Sequence, residues 1–72
     1  MRKVFKLDNL DCANCAAKME DAIKKINGVQ DASMRFMTQK LVIEAEESDM
    51  EEILDKAVAV CKKIEPDMTI LR

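Results

Sequence analysis

The fold is decided by residues 13–36, ANCAAKMEDAIKKINGVQDASMRF, in which the spacing of the apolar residues changes once. Over residues 13–26 the apolar side chains recur at the spacing of one helix face, which predicts an amphipathic helix. Asn27 and Gly28 predict its end, because glycine easily takes the left-handed backbone conformation that follows many helices. Over residues 29–36 apolar and polar residues alternate, which predicts a β-strand. The stretch therefore encodes a helix that is followed at once by a strand.

The strand pattern continues on both sides of this stretch. Residues 3–7 alternate between polar and apolar, which predicts a first strand with Phe5 and Leu7 facing inward. After residue 36, a polar turn at residues 38–39 leads into a second alternating strand over residues 41–45. Two alternating runs joined by a short polar turn predict a β-hairpin.

A second helix and a short last strand complete the pattern. Ser48 and Glu51 have the spacing of a capping box, in which two side chains satisfy free backbone amides at a helix start. Apolar residues at helical spacing run from there to Ile64, and Pro66 predicts the end of the helix because proline removes a backbone donor. Residues 68–71 then predict a short strand.

The predicted order of elements is β-α-β-β-α-β. Each helix and the sheet carry one apolar face, and all of these faces are buried only if both helices cover the same side of the sheet. With right-handed crossovers this predicts an α+β, ferredoxin-like βαββαβ sandwich, a four-stranded antiparallel sheet with two helices on one face. A chain of 72 residues is enough for one such unit, so residues 1–72 are predicted to form a single domain.

The composition excludes several classes of function. Without histidine the chain lacks Ser-His-Asp and Cys-His catalysis, and with one glycine it lacks a phosphate-binding glycine-rich loop. Twelve basic and fourteen acidic residues give a net charge of −2, which predicts no nucleic-acid partner. No apolar stretch is long enough for membrane insertion, and basic residues interrupt any N-terminal secretory signal. An odd number of cysteines, three, predicts reduced thiols and a cytoplasmic location.

Two of the cysteines carry the chemistry that remains. Cys12 and Cys15 are three residues apart at the predicted start of the first helix, which brings both side chains to one side. Free amides and the positive end of the helix dipole favour thiolates there, and two thiolates can bind one soft metal ion. Asp11 can add a carboxylate oxygen as a third ligand. These three ligands leave a charge of about −1 with a divalent ion, which favours Zn²⁺, Cd²⁺ or Pb²⁺ over Cu⁺.

Each of these residues also has a simpler interpretation. Cys12 and Cys15 also fit a redox dithiol or an incidental pair of thiols, and Asp11 also fits a helix N-cap. Cys61 lies on the apolar face of the second helix, which favours a buried thiol that packs as a small hydrophobe. The alternative is that the end of this helix points toward the other two cysteines and offers Cys61 as a reserve ligand.

The chain resembles the heavy-metal-associated domain, the small βαββαβ module of copper chaperones and of heavy-metal-exporting P-type ATPases. The family motif is roughly Gly-Met-x-Cys-x-x-Cys, and residues 9–15, NLDCANC, stand in its place. Asn9 replaces the usual glycine but tolerates a positive φ, and Leu10 replaces a methionine whose role is hydrophobic support. Aspartate before the first cysteine is what the zinc, cadmium and lead exporters carry, whereas copper domains usually have threonine or a similar residue there. The resemblance extends over essentially the whole chain.

The resemblance implies a metal-binding module rather than an enzyme. Its cargo is expected to be one soft metal ion, Zn²⁺, Cd²⁺ or Pb²⁺, held by Cys12, Cys15 and Asp11, with Cu⁺ as the alternative. The expected partner is a membrane-embedded P-type ATPase that receives the ion by ligand exchange, and the chain is then its N-terminal domain or a free metallochaperone. A monomer is expected, while a metal-bridged dimer stays open. A dithiol oxidoreductase is the alternative from a different class.

Overall fold

Six elements follow one another in the predicted order in the computed structural model, which describes residues 1–71. Arg72, the last residue of the predicted domain, lies outside the described residues. The elements are β1 (Arg2–Asp8), α1 (Ala13–Lys24), β2 (Val29–Arg35), β3 (Lys40–Ala45), α2 (Glu47–Ile64) and β4 (Thr69–Leu71).

The four strands form one antiparallel sheet in the order β2-β3-β1-β4. Within it Phe5 of β1 lies opposite Leu41 of β3, and Leu7 lies opposite Ile70 of β4. These four side chains are buried on one face, because alternate residues of a strand point to the same side of the sheet. Apolar residues of both helices pack on that face, so the predicted ferredoxin-like α+β sandwich is confirmed.

The core between the helices and the sheet is almost entirely aliphatic. Burial of one isoleucine or leucine side chain stabilises the folded state by about 2 kcal/mol, so a few such residues per element are enough to hold each helix on the sheet. The side chains that are at most 2% exposed come from the β1–α1 connection, from both helices and from β3, and they are Leu10, Met19, Ile23, Leu41, Ile43, Ala45, Ile53, Ala57 and Cys61.

Gly28 ends the first helix in the way the sequence predicts. Its φ of +98° is in the left-handed region that L side chains rarely adopt. A Cβ atom at this position would also lie 3.3 Å from Cδ1 of Ile53 in α2. The positive φ of residue 28 and its close approach to α2 therefore both favour glycine in the connection between α1 and β2.

The predicted capping box at the start of α2 is wrong. The helix begins two residues before the expected position of its first turn, with Glu46 as N-cap, and the Glu46 side chain makes no capping hydrogen bond. Ser48 is consequently inside the helix rather than before it. The reason is that β3 ends at the buried Ala45, and α2 must begin directly after that residue if its apolar face is to pack on the sheet. Glu47 and Asp49 in the first turn interact favourably with the positive end of the helix dipole.

Other boundaries differ from the prediction by one or two residues. The strand β1 extends over Arg2–Asp8 instead of residues 3–7, and β3 begins at Lys40 instead of residue 41. The helix α1 ends at Lys24 instead of residue 26, because the amide of Ile26 bonds to the carbonyl of Ile23 in a tighter turn. The strand β2 ends at Arg35 because residue 36 opens the hairpin turn, and β4 begins at Thr69. Within residues 1–71, neither helix combines the length and the apolar character that crossing a membrane requires.

Candidate metal centre

The connection between β1 and α1, residues 9–12, is the β1–α1 loop. Asn9 has a φ of +63°, so it takes the left-handed conformation that was expected of asparagine in place of glycine. This turn directs Leu10 inward, where its side chain is only 1% exposed. The loop is therefore anchored in the core by Leu10 while the residues that follow return to the surface.

Gln39, in the turn between β2 and β3, holds the backbone of this loop from the side. Its side-chain oxygen accepts a hydrogen bond from the Leu10 amide at 3.0 Å, and its side-chain nitrogen donates to the Leu10 carbonyl at 2.6 Å. The Gln39 carbonyl also accepts from the Leu7 amide at 2.8 Å. Nothing in the sequence points to this role, because Gln39 is 29 positions away from Leu10 and polar residues are common in turns.

Cys12 is the N-cap of α1. Its backbone is extended, with φ −124° and ψ +115°, and its Sγ accepts a hydrogen bond from the Cys15 amide at 3.2 Å. The Cys12 carbonyl accepts from the amide of Ala16 at 3.0 Å, which closes the first helical turn. A cysteine thus occupies the position that Asp11 was alternatively expected to fill, and Asp11 is exposed one residue earlier. The structure brings the two cysteines together at the helix start.

The two thiols have different proton affinities. Hydrogen bonds from the side chain and the backbone amide of Cys15 lower the pKa of the Cys12 thiol below its ordinary value. The same side-chain hydrogen bond, together with burial and the neighbouring charge of Cys12, raises the pKa of Cys15 to about 11. Cys12 is therefore the first of the two to become a thiolate as the pH rises, and the thiolate is the form that binds metal.

Glu65 also acts on the two thiols, which the sequence does not reveal. It is the C-cap of α2, where its amide donates to the Cys61 carbonyl at 2.7 Å. The hydrogen bond between the two thiols and burial are the larger causes, but the charge of the Glu65 carboxylate also raises the pKa of Cys15. Its charge acts in the same direction on Cys12. The fold thus brings the end of α2 near enough to the start of α1 for the charge of Glu65 to act on both thiols.

Asp11 is not brought together with the two thiols in the same way. Across residues 1–71, no group of three or more histidine, cysteine, aspartate or glutamate side chains is arranged to hold a metal ion. The described site consequently consists of two sulfurs with carboxylates at its edge. A third donor would have to approach by a side-chain movement or come from another molecule.

Cys61 is buried in the core, as the more favoured interpretation of the sequence predicts. Its side chain is 1% exposed on the inner face of α2, and burial raises the pKa of its thiol to about 11. A protonated, enclosed thiol packs as a small hydrophobic group. In the part of the chain that the structure describes, Cys61 also joins no group of metal-binding side chains.

The chain is similar in sequence to heavy-metal transporters over most of its length. A cadmium, zinc and cobalt-transporting ATPase of Bacillus subtilis is 30% identical over 70 residues, which are 97% of this chain and 10% of that protein. A zinc/cadmium/lead-transporting P-type ATPase of Escherichia coli is 37% identical over 59 residues, which are 78% of this chain and 8% of that protein. The chain therefore spans about a tenth of the length of these relatives.

The fold is shared with solved structures. The CopZ metallochaperone superposes with a TM-score of 0.75 over 99% of this chain and 100% of its own chain, at 13% sequence identity. At such low identity this likeness concerns the fold alone. The sequence model of the heavy-metal-associated domain family matches residues 4–65 of this chain. The matched region includes both helices and the paired cysteines. The chain belongs to the heavy-metal-associated domain family of metal-binding modules.

Proposed function

We propose that the chain binds one soft metal ion through the thiolates of Cys12 and Cys15 and passes it on by ligand exchange. The observation that carries the proposal is the position of the two cysteines at the start of α1, where the Cys15 amide donates to Cys12 Sγ at 3.2 Å. Both side chains are half-buried rather than enclosed. An incoming ion therefore reaches both sulfurs without unfolding of the loop.

The proposed ion is divalent, Zn²⁺, Cd²⁺ or Pb²⁺. Two thiolates alone suit Cu⁺, which prefers sulfur ligands, whereas a carboxylate oxygen suits a divalent ion and leaves a smaller residual negative charge. The names of the Bacillus subtilis and Escherichia coli relatives, which refer to cadmium, zinc, cobalt and lead, agree with this choice. Binding of Cu⁺ by Cys12 and Cys15 alone is the second candidate.

Asp11 is the proposed third ligand, and Glu65 is its competitor. Asp11 is exposed beside Cys12 and is not needed as a helix cap, so its carboxylate is available to turn toward a bound ion. Glu65 lies at the end of α2, and its charge acts on both thiols. Either carboxylate supplies the hard oxygen donor on which the proposed preference for divalent ions depends.

Transfer is proposed to proceed through an intermediate in which donor and acceptor ligands share the ion. A thiolate of the partner enters the coordination shell before Cys12 or Cys15 leaves, so the ion is never released into water. Exposure of the β1–α1 loop permits this approach. The proposed partner is a P-type ATPase in the cytoplasmic membrane, and residues 1–72 act as one cytoplasmic domain, either within that protein or as a separate chaperone.

The proposal is tested by anaerobic competition titrations of the reduced protein with Zn²⁺, Cd²⁺, Pb²⁺ and Cu⁺. The variants are Asp11→Ala and Glu65→Gln, with Asp8→Ala as a control that removes an equal charge from a nearby exposed position. We expect Asp11→Ala to weaken binding of the divalent ions by about ten-fold and to leave Cu⁺ binding unchanged or stronger.

The pattern of losses distinguishes the alternatives. Divalent affinity that falls in Glu65→Gln but not in Asp11→Ala would make Glu65 the third ligand. Equal loss of all four metals in Asp11→Ala would contradict the proposed selectivity. Turnover of a disulfide substrate by the Cys12–Cys15 pair, without tight metal binding, would contradict the proposal. The chain would then be interpreted as a dithiol oxidoreductase.

A further inference from the structure

One side chain joins the hairpin turn to the β1–α1 loop, which carries Cys12. Both hydrogen-bonding groups of the Leu10 backbone are occupied by the Gln39 amide, at 3.0 and 2.6 Å. A planar amide that donates and accepts in this way reproduces the pairing of two neighbouring strands. Within residues 1–71, Gln39 is the residue that satisfies the Leu10 backbone, so the loop depends on it beyond the end of β1.

Gln39 is itself held in a restricted position. Its φ is +55°, which is uncommon for a residue with a long side chain. Its side-chain nitrogen also donates to the Phe36 carbonyl at 3.1 Å, and its backbone carbonyl accepts from Leu7. These bonds connect Leu7 and Leu10, which flank the left-handed Asn9, to one residue of another turn. The shape of the β1–α1 loop is therefore determined from outside the loop.

We infer that Gln39 is a positioning residue for the metal site, which holds the β1–α1 loop in the shape that places Cys12 beside Cys15. The inference rests on the proposed metal binding, but its structural part concerns the protein without metal. Cys12 follows Leu10 by two residues, so a loop released from Gln39 would lose its fixed approach to the start of α1. A site that is ordered before the ion arrives binds it more tightly than a site that must be ordered during binding.

The alternative role for Gln39 is ordinary stabilisation of the hairpin through Phe36. That role predicts a lower resistance to urea but an unchanged affinity of the folded protein for metal, because affinity does not depend on global stability while nearly all molecules are folded. It also predicts no change in the exchange of the Cys15 amide, which donates to Cys12 Sγ rather than to Gln39. The exchange rate of the Cys15 amide, which donates to Cys12 Sγ, is therefore a readout that only the positioning role affects.

The experiment compares Gln39→Gly and Gln39→Asn with Gln30→Asn. Glycine removes the side chain and accepts the positive φ, and asparagine keeps an amide and tolerates that φ but is one methylene too short. Gln30, the other glutamine of the chain, makes an exposed 3.5 Å contact with Glu46 and is the matched control. Zn²⁺ affinity is measured by competition with a chromophoric chelator, amide exchange by NMR without metal, and stability by urea unfolding.

We expect both Gln39 variants to bind Zn²⁺ about ten-fold more weakly, the equivalent of two lost hydrogen bonds of modest net strength. The amides of Leu10 and Cys15 should both exchange faster, while Gln30→Asn matches the parent protein. Faster exchange at Leu10 alone, with parental exchange at Cys15 and parental affinity, would overturn the inference. A parent protein that binds no metal would overturn the proposed function instead, and exchange at Cys15 would still decide whether Gln39 positions the loop.

Discussion

Cysteine occurs in two regions of this molecule and has different surroundings in each. Cys12 and Cys15 are half-buried at the start of α1, whereas Cys61 is 1% exposed on the inner face of α2. The side chains of the first region are partly accessible to solvent, whereas the thiol of the second is enclosed in the core. The same residue type therefore serves the proposed chemistry in one region and packing in the other.

The backbone explains why the two regions differ. The first amides of a helix have no carbonyl partner within the helix, and the Cys15 amide uses this freedom to donate to Cys12 Sγ. In the interior of a helix each amide is bonded to a carbonyl one turn earlier, so nothing comparable stabilises a thiolate. Burial then dominates at Cys61 and raises its pKa to about 11. Position relative to a helix end thus decides what a cysteine can do.

The largest expected effect is the loss of metal binding when either exposed thiol is removed. Cys12→Ser and Cys15→Ser each leave one sulfur, so we expect the affinity for Zn²⁺ and Cd²⁺ to fall by at least about 1,000-fold. Cys61→Ser should bind both ions within about three-fold of the parent, since a buried thiol is not a ligand. Competition titrations measure all three variants. A large loss in Cys61→Ser, with the fold intact, would make Cys61 a ligand and remove the contrast between the two regions.

The second effect is the order in which the three thiols are alkylated. An acidic group ionises above its pKa, so the lowered pKa of Cys12 gives it the larger thiolate fraction near neutral pH, whereas Cys15, with a pKa of about 11, stays protonated. We expect iodoacetamide to modify Cys12 at least about ten-fold faster than Cys15. Mass spectrometry of the first adduct at pH 7 locates it.

The rate at Cys15 should keep rising between pH 9 and 11, as its thiol ionises. Cys61 should react only in urea, because its sulfur is enclosed. A first adduct on Cys15 would show that the hydrogen bond to Cys12 does not control thiol reactivity in solution.

The smallest effect is on stability. Here substitution of the buried Cys61 should cost more than substitution of the half-buried Cys15, the reverse of the expected effects on metal binding. Cys61→Ser places a hydroxyl in an apolar environment and is expected to lower the free energy of unfolding by about 1–3 kcal/mol. Cys61→Ala tests the loss of volume without the polar group, and Cys15→Ser, at a half-buried position, should cost less than either core variant. Urea unfolding in the absence of metal gives the three values. Equal stability of Cys61→Ser and Cys15→Ser would mean that α2 does not depend on an apolar group at residue 61.

Much of the fold could be predicted because its signals are local. The alternation around Phe5 and Leu7 and the helical spacing before Gly28 depend on neighbouring residues, and the structure confirms the elements that they predict. The capping box at Ser48 failed for the opposite reason. Its spacing is local, but the strand that ends at Ala45 determines where the chain must turn onto the sheet.

The sequence by itself determined the order of elements and the placement of Cys12 and Cys15 at a helix start, because hydrophobic periodicity and residue spacing are properties of adjacent positions. Only the tertiary structure decided that Gln39 holds the Leu10 backbone and that the charge of Glu65 acts on the two thiols. These contacts join residues far apart in the chain, and they form only after burial of the apolar faces has brought the β2–β3 turn and the end of α2 beside the loop.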